Sequence, residues 1–422
     1  MQTLAHMSRL ACVLLLLAAC GFCAAPPTMP WKIPPLDGEM EGDFKPGPAE
    51  DAPLLRWKIS ARTARPRERT IEFAIDGPGL RVRLAALLDP AGEGTWELRA
   101  AEADLAVWWS RLAKEYYPAL AAAEVTGATK LTGAGVVRRD GFGGQVKLEV
   151  VDAVVRDVKQ AWSVRGVAIE GRLGLLPVLA TDEPVRLGFS EATVAGVELR
   201  DGQVEFLLNP DGTLRVNRAL CSVLDGQVVL APFVLDRTKN QMRTTVDLVN
   251  VDLAELREFL PAALSEARGR VSGRWDVVWD FRRGLTVASG GLLPGAAVSA
   301  SIKLRPAPGF LTGRLPENMR ERIQLMPDWL GPIGRLFAPA NPAYPILRAI
   351  EMGESSLDIA AFEIGLSLDG DARGRSAHIV AMTRPTAKGT AVDSVRFEFN
   401  VTGPLADFAR LLAEGRLNLQ LR

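Results

Sequence analysis

From Glu191 to Val251 apolar and polar side chains take turns, and residues that favour turns separate the runs. Thr193, Ala195, Val197 and Leu199 alternate through Glu191–Arg200. Asp201-Gly202 follows, a two-residue hairpin signal. Val204, Phe206 and Leu208 alternate next. Asn209-Pro210-Asp211-Gly212 closes that run with Pro and Gly where a turn needs fixed and positive φ. Thr213–Leu224 leads to Asp225-Gly226. Gln227–Leu235 and Gln241–Val251, joined by Asp236–Asn240, complete the series. The pattern predicts five strands in an antiparallel meander. Alternation gathers Val204, Phe206, Leu208, Leu214, Val216, Val228, Leu230, Val246 and Leu248 on one face, the candidate apolar binding face.

A second pattern mixes two periods. Leu54–Ile59, Thr70–Ile75 and Leu80–Leu88 alternate as strands, with Asp76-Gly77-Pro78-Gly79 as a turn. After strand Trp96–Ala103, Leu105, Trp108, Trp109, Leu112, Tyr116 and Leu120 fall at helical spacing. Strand Gly127–Val137 follows. The same order returns at Asp252-Leu253-Ala254, where Asp252 suits an N-cap, and at Val395–Val401 with Leu405, Phe408 and Leu412. These are strand–helix–strand repeats. Gln145–Asp152, Val164–Leu176, Leu285–Leu304, Ser356–Asp369 and Ala377–Arg384 add further strands. Arg305–Pro345 is dense in Pro and Gly; it reads as a plug over the sheet or as an irregular connection. The aromatic pairs Trp108-Trp109 and Tyr116-Tyr117 suit packing of a helix on the sheet better than a membrane interface. The fold class is mainly β (α+β): a long twisted antiparallel sheet curled into an apolar groove, with a few short amphipathic helices.

The N-terminus changes the picture. Leu10–Ala19 is apolar but too short to span a bilayer, which takes about 20 residues, so residues 1–19 read as a signal peptide. Leu17-Ala18-Ala19-Cys20 resembles the lipobox of bacterial lipoproteins. The resemblance implies lipid attachment at Cys20 and a membrane anchor that does not span. It also implies a bacterial periplasmic location, held to the outer membrane. Residues 20–53 are Pro-rich and read as a tether. Residues 54–190 form the N-terminal β-rich part of the groove and 191–422 its main domain. Cys23 and Cys221 are left either paired or, for Cys221, buried and free.

Chemistry is sparse. Lys+Arg and Asp+Glu each number 50 among 422 residues, so no basic excess points to nucleic acid. Beyond the signal, His378 is the only histidine, inside an apolar run. No catalytic triad can be assembled around it. No Cys/His cluster has metal spacing, and no cofactor motif is present. Gly141-Phe142-Gly143-Gly144 lacks dinucleotide and Walker spacing and reads as a β-turn. The sequence therefore speaks for a non-enzyme without cofactor or metal.

The stretch from about Thr193 to Arg422 resembles the AsmA-like envelope proteins, and most the YdbH-like branch, long labelled a dicarboxylate-transport domain. The hairpin run with Asp225-Gly226 carries this, with Val251-Asp252-Leu253-Ala254-Glu255-Leu256 and Gly269-Arg270-Val271-Ser272-Gly273. Ser289-Gly290-Gly291-Leu292, Pro294-Gly295-Ala296, Leu347-Arg348-Ala349-Ile350 and Phe399-Asn400-Val401-Thr402-Gly403-Pro404-Leu405 complete it. The resemblance implies a β-groove that moves phospholipid between inner and outer membranes. About 20 strands at 4.8 Å give a groove of roughly 100 Å, short for crossing the periplasm alone. The final alternation, Leu417, Leu419 and Leu421, reads as a strand edge open to a partner protein or another copy. Two functions stay open: a lipid-transfer groove, and a structural or assembly envelope lipoprotein with a solid β core.

Overall fold

A computed structural model describes residues 37–45 and 53–402, apart from 66, 110–122, 139–140, 158–161, 175–179, 195–196, 237–238, 240, 258–263, 281–283, 296–298, 324–337, 368–369, 372 and 387–390. The chain is mainly β, with 21 strands among the described residues. It divides into two compact units. One holds the described residues up to Cys221 together with Ala231–Met242; the other holds Ser222–Leu230 and the residues from Arg243 on.

In the first unit the strands follow one another in sequence. They are β1 Gly38–Phe44, β2 Leu55–Arg65, β3 Glu68–Gly77, β4 Leu80–Leu88, β5 Gly94–Asp104 and β6 Glu124–Arg138. Then come β7 Gly141–Asp157, β8 Trp162–Gly174, β9 Val185–Val194 and β10 Val197–Leu208. Each pairs antiparallel with the next. β1 lies within the stretch read as a Pro-rich tether. β11, Leu214–Val223, begins in this unit and pairs antiparallel with β13, Phe233–Leu235.

The second unit holds β12 Gly226–Leu230 and most of β14 Gln241–Asp252. It continues with β15 Leu264–Arg268, β16 Arg270–Asp280, β17 Gly284–Pro294, β18 Ser301–Leu304, β19 Leu357–Ser367, β20 Arg375–Pro385 and β21 Val395–Thr402. Its main ladder runs β12–β14–β16–β17–β19–β20–β21. β15 and β18 pair beside it, and β18 also touches the start of β19. A short helix, Leu253–Arg257, follows β14, and a longer one, Tyr344–Glu351, precedes β19.

Three details depart from the sequence reading. Asp201-Gly202 is not a turn, because β10 runs straight through it in unbroken register with β9. The Phe189 ring lies where a side chain at Gly202 would stand, 1.9 Å from an added Cβ. Glycine is there to seat an aromatic ring, which is why the dipeptide misleads. The run Gln227–Leu235 is broken at Ala231-Pro232, and its two pieces pair with different strands, β12 with β14 and β13 with β11. Proline lacks the N–H that a central ladder requires. Gly141–Gly144 opens strand β7, and the Trp96 indole donates to the Gly143 carbonyl at 2.9 Å.

The other turns form as their residues dictate. Asn209 accepts from Gly212 N–H at 2.9 Å, with Gly212 at φ 79°. Leu224 and Asp225, at φ 46° and 55°, make the tight turn before β12.

Candidate functional site

Register sorts every strand into two faces. In the first unit the apolar face carries Trp57 and Ile59 on β2, opposite Ile75 and Phe73 on β3, which stand opposite Val82 and Leu84 on β4. Leu84 faces Leu98, and Ala86 faces Trp96, on β5. The row continues through Leu131 and Leu148, then Val150, Ile169 and Leu187, to Val204 on β10. The opposite face is charged. Lys147 reaches Glu170 on β8 at 2.9 Å, Lys58 reaches Glu39 on β1 at 2.8 Å, and Arg156 pairs with Glu124. Exposed pairs of this kind contribute about 0–1 kcal/mol each. Their effect is on register: a slip by one residue would turn the charges into the apolar side.

Burial along this face is graded. Val146, Val150, Ile169 and Val185 are at most 2% exposed. Ile59, Phe73, Ile75, Val82 and Leu84 are only half-buried. The same apolar row thus passes from closed at β7–β9 to open at β2–β4.

The second unit repeats the gradient. Val251, Leu253, Ala267, Val271, Leu292, Ala300 and Ile359 form one buried cluster, with Leu248, Trp275 and Phe362 against it. Ile350, Leu357, Ala381, Val395 and Phe397 form a second. Ile302 and Phe362 pack against both. The second cluster is covered by Phe310 and Leu311, from the segment read as plug or connection, and by Ile346 and Leu347 of the helix Tyr344–Glu351. Phe310 stacks on Phe397 at 6.3 Å between centroids, the ring planes nearly parallel. Glu351, 3% exposed, ties this cover down by accepting from Leu311 N–H at 2.9 Å, Thr312 N–H at 3.0 Å and the Thr312 hydroxyl at 2.8 Å. Burial alone would raise its pKa, but these hydrogen bonds outweigh burial and hold the carboxyl below its ordinary value. Away from the cover the row stays half-buried at Trp275, Ile364, Leu366 and Ile379.

The nine residues expected on one face fall into two groups. Val228 stands opposite Leu248 and Leu230 opposite Val246, so these four share a face of the second unit. In the first unit Val204 and Phe206 stand opposite Leu187 and Val185, while Leu214 and Val216 stand opposite Leu235 and Phe233. Leu208 follows at the end of β10. Phe206 and Val216 are each 3% exposed; the other seven are half-buried. The face extends well beyond them. The rows on β2–β5 and on β16–β20 show the same alternation in the sequence, but nothing local marks their two ends as closed or open. Cys20 and the edge residues Leu417, Leu419 and Leu421 lie outside the described residues, as does the third helix of the repeat.

On the opposite face of the second unit an open cleft of ≈ 1210 Å³ is lined by Asp247, Ser272, Arg274, Ser289, Glu363 and His378, and also by the apolar Val249, Leu293 and Pro294. Small residues, Gly291 and Gly365, make the depression. Arg274 grips Asp247 with two hydrogen bonds, at 2.6 and 3.0 Å, and holds its carboxyl below the ordinary value. His378 Nδ1 lies 2.9 Å from Arg375 and 2.8 Å from Asn400 Oδ1, so its ring is oriented by neighbours rather than set against a nucleophile. Among the described residues no group of three or more His, Cys, Asp or Glu could hold a metal. Cys221 is buried and free, and burial pushes its thiol up to about 11. Among the described residues no helix is long and apolar enough to cross a membrane.

Antiparallel strands with an apolar face and an ion-laced face in each unit define the class, a mainly β protein. The chain belongs to the YdbH-like family, described as "Intermembrane phospholipid transport protein YdbH", which matches residues 56–314, more than half of its length. The match begins in β2, well N-terminal of where the residue motifs suggested likeness, and stops before the helix Tyr344–Glu351. No curated protein and no solved structure matches the chain. The family places its function in intermembrane phospholipid transport.

Proposed function

We infer that this protein is a membrane-anchored periplasmic carrier that shelters phospholipid tails on its apolar sheet face, with Cys20 as the anchoring residue and the outer membrane as its support. The observation that carries this reading is the half-buried apolar row on β2–β4, with a second half-buried row, Trp275, Ile364 and Ile379, in the second unit taken by itself. Large side chains aligned over adjacent strands and left half in water cost apolar hydration at about 25 cal/mol per Å². Acyl chains laid along them would remove that cost. A solid core accounts for β7–β9, where the face is closed, and leaves β2–β4 unexplained.

The test is lipid recovery. Protein purified from the cell envelope is washed free of detergent, extracted into organic solvent and measured by mass spectrometry. Phospholipid in stoichiometric yield is expected, and Phe73→Asp together with Leu84→Asp should deplete it while the fold is retained. Protein that is consistently empty, with wild-type folding, would favour the structural reading. Loss of acyl labelling in Cys20→Ser tests the anchor separately.

A further inference from the structure

Among the described residues, strand β1 is a margin of the sheet. It pairs with β2 over Gly38–Phe44, and no other pairing among the described residues uses it. Its second edge offers backbone N–H and C=O groups to another strand. β1 carries two exposed large apolar side chains: Met40 is 61% and Phe44 39% exposed. β1 contains neither Lys nor Pro to discourage pairing.

The register gives β1 two unlike faces. Glu39, Glu41 and Asp43 lie with Ser60, Lys58 and Arg56, on the charged side. Met40, Gly42 and Phe44 lie with Ile59, Trp57 and Leu55, on the apolar side. This pattern disfavours pairing of β1 with β1 of another copy. An antiparallel match centred on Glu41 would set Glu41 against Glu41 and Glu39 against Asp43, and like charges directly opposite destabilise. The strand that fits must carry cations or neutral groups at one parity and apolar groups at the other.

Arg416–Arg422 has that pattern. Leu417, Leu419 and Leu421 alternate with Arg416, Asn418, Gln420 and Arg422, without an acid. Laid antiparallel with Arg416 opposite Asp43, it puts Asn418 opposite Glu41, Gln420 opposite Glu39 and Arg422 opposite Asp37. Leu419 then meets Met40. Leu417 meets Gly42, which has no side chain and over which the Trp57 indole sits at 3.0 Å from an added Cβ.

We propose that β1 of one copy takes up Arg416–Arg422 of a second copy as an added strand, joining copies head to tail. Main-chain hydrogen bonds give the contact its strength; the alternating faces and the two end charges give its register. The contact is heterologous, so each joined pair keeps one free β1 and one free tail, and the assembly grows or closes as a ring. The inference stands apart from lipid carriage.

Full-length protein is co-expressed in two tagged forms, with a photo-crosslinking residue at Met40 in one of them. A two-copy adduct is expected, mapping by mass spectrometry to Arg416–Arg422 of the other form. Asp43→Arg in the crosslinking copy should abolish it, and Arg416→Asp in the other copy should restore it. Leu419→Pro should also abolish it, since proline cannot sustain the ladder. Asp43 is exposed, so circular dichroism should show Asp43→Arg folded; Asp43→Asn, which should lower the yield, is the milder substitute if it does not. Adducts confined to one chain, adducts to a different protein, or a yield indifferent to charge reversal would each overturn the proposal.

Discussion

The molecule contains the same junction twice, and the two copies are closed by different means. In the first unit Asp104 ends β5, and its carboxylate accepts the Ala106 N–H at 2.9 Å. In the second, Asp252 ends β14 and accepts from Ala254 N–H at 2.8 Å. Each Asp donates its own N–H to a left-handed turn residue of an earlier hairpin, Gly79 at 2.8 Å and Leu224 at 2.9 Å. The next residue is buried in both, Leu105 at 5% and Leu253 at 4%. A glycine at positive φ later bends the returning strand, Gly127 and Gly269. The difference lies in the cover. The first junction is stitched by indoles: Trp108 donates to Gly79 O at 3.1 Å, and Trp109, 2% exposed, to Ala123 O at 3.0 Å. At the second, Leu253 N–H bonds to Gly269 O at 3.0 Å, and Leu253 lies in a cluster that Ile302 and Phe362 join to the one under Phe310 and the helix Tyr344–Glu351. A cap, a buried leucine and a bent glycine build the junction; what closes the face around it is separate.

The largest effect should come from the shared glycines. A Cβ at Gly127 would stand 2.7 Å from Ala153 Cα, and one at Gly269 2.7 Å from Ser299 O, both against backbone. Gly127→Val and Gly269→Val should each lose about 3 kcal/mol or more, from positive-φ strain plus overpacking. Urea unfolding checks this, and a mild result at either site would end the equivalence of the two copies.

Next come the leucines. Leu105→Ala and Leu253→Ala should each cost about 2–5 kcal/mol as buried large-to-small changes. The indoles then separate the copies. Trp109→Phe should cost about 1–3 kcal/mol by leaving the Ala123 carbonyl unpaired, and the loss should appear only in the first unit's amide exchange.

Acid should separate them the other way. Glu351 is held below its ordinary pKa when folded, so its contribution is present above the unfolded carboxyl value, about 4.3, and fades as pH falls through the folded value. Exchange around Phe310–Thr312 should rise under acid while the Trp109 junction stays protected, and Glu351→Gln should flatten the dependence. The smallest effect should be at the caps: Asp104→Ala and Asp252→Ala should each cost about 1 kcal/mol. Clearly unequal losses would show that the caps are not the shared element.

Much of this was legible along the chain. Alternation gave most of the strands from β2 to β14, because a period of two with one buried face leaves few other solutions, but it put a turn inside β10 and ran β12 and β13 together. Asp252 was recognisable as a cap, since a cap depends on residues within one turn; the same role of Asp104 came with the structure. The candidate face was only partly legible. Its polarity follows from each strand alone, while its closure over β7–β9 and its openness over β2–β4 depend on what packs above it.

The dipeptide Asp-Gly draws the line between the two kinds of knowledge. By sequence alone Asp201-Gly202 and Asp225-Gly226 are the same hairpin signal. Asp225 does turn, at φ 55°. Asp201, at φ 51°, sits inside β10. The chain itself determined that both sites tolerate left-handed backbone, because Asp and Gly enter that region at low cost. Only the tertiary structure decided which one reverses the chain. At Gly202 the Phe189 ring of the neighbouring strand fills the space a side chain would take, and the ladder with β9 continues on both sides. That ring comes from thirteen residues away, beyond the reach of any local rule.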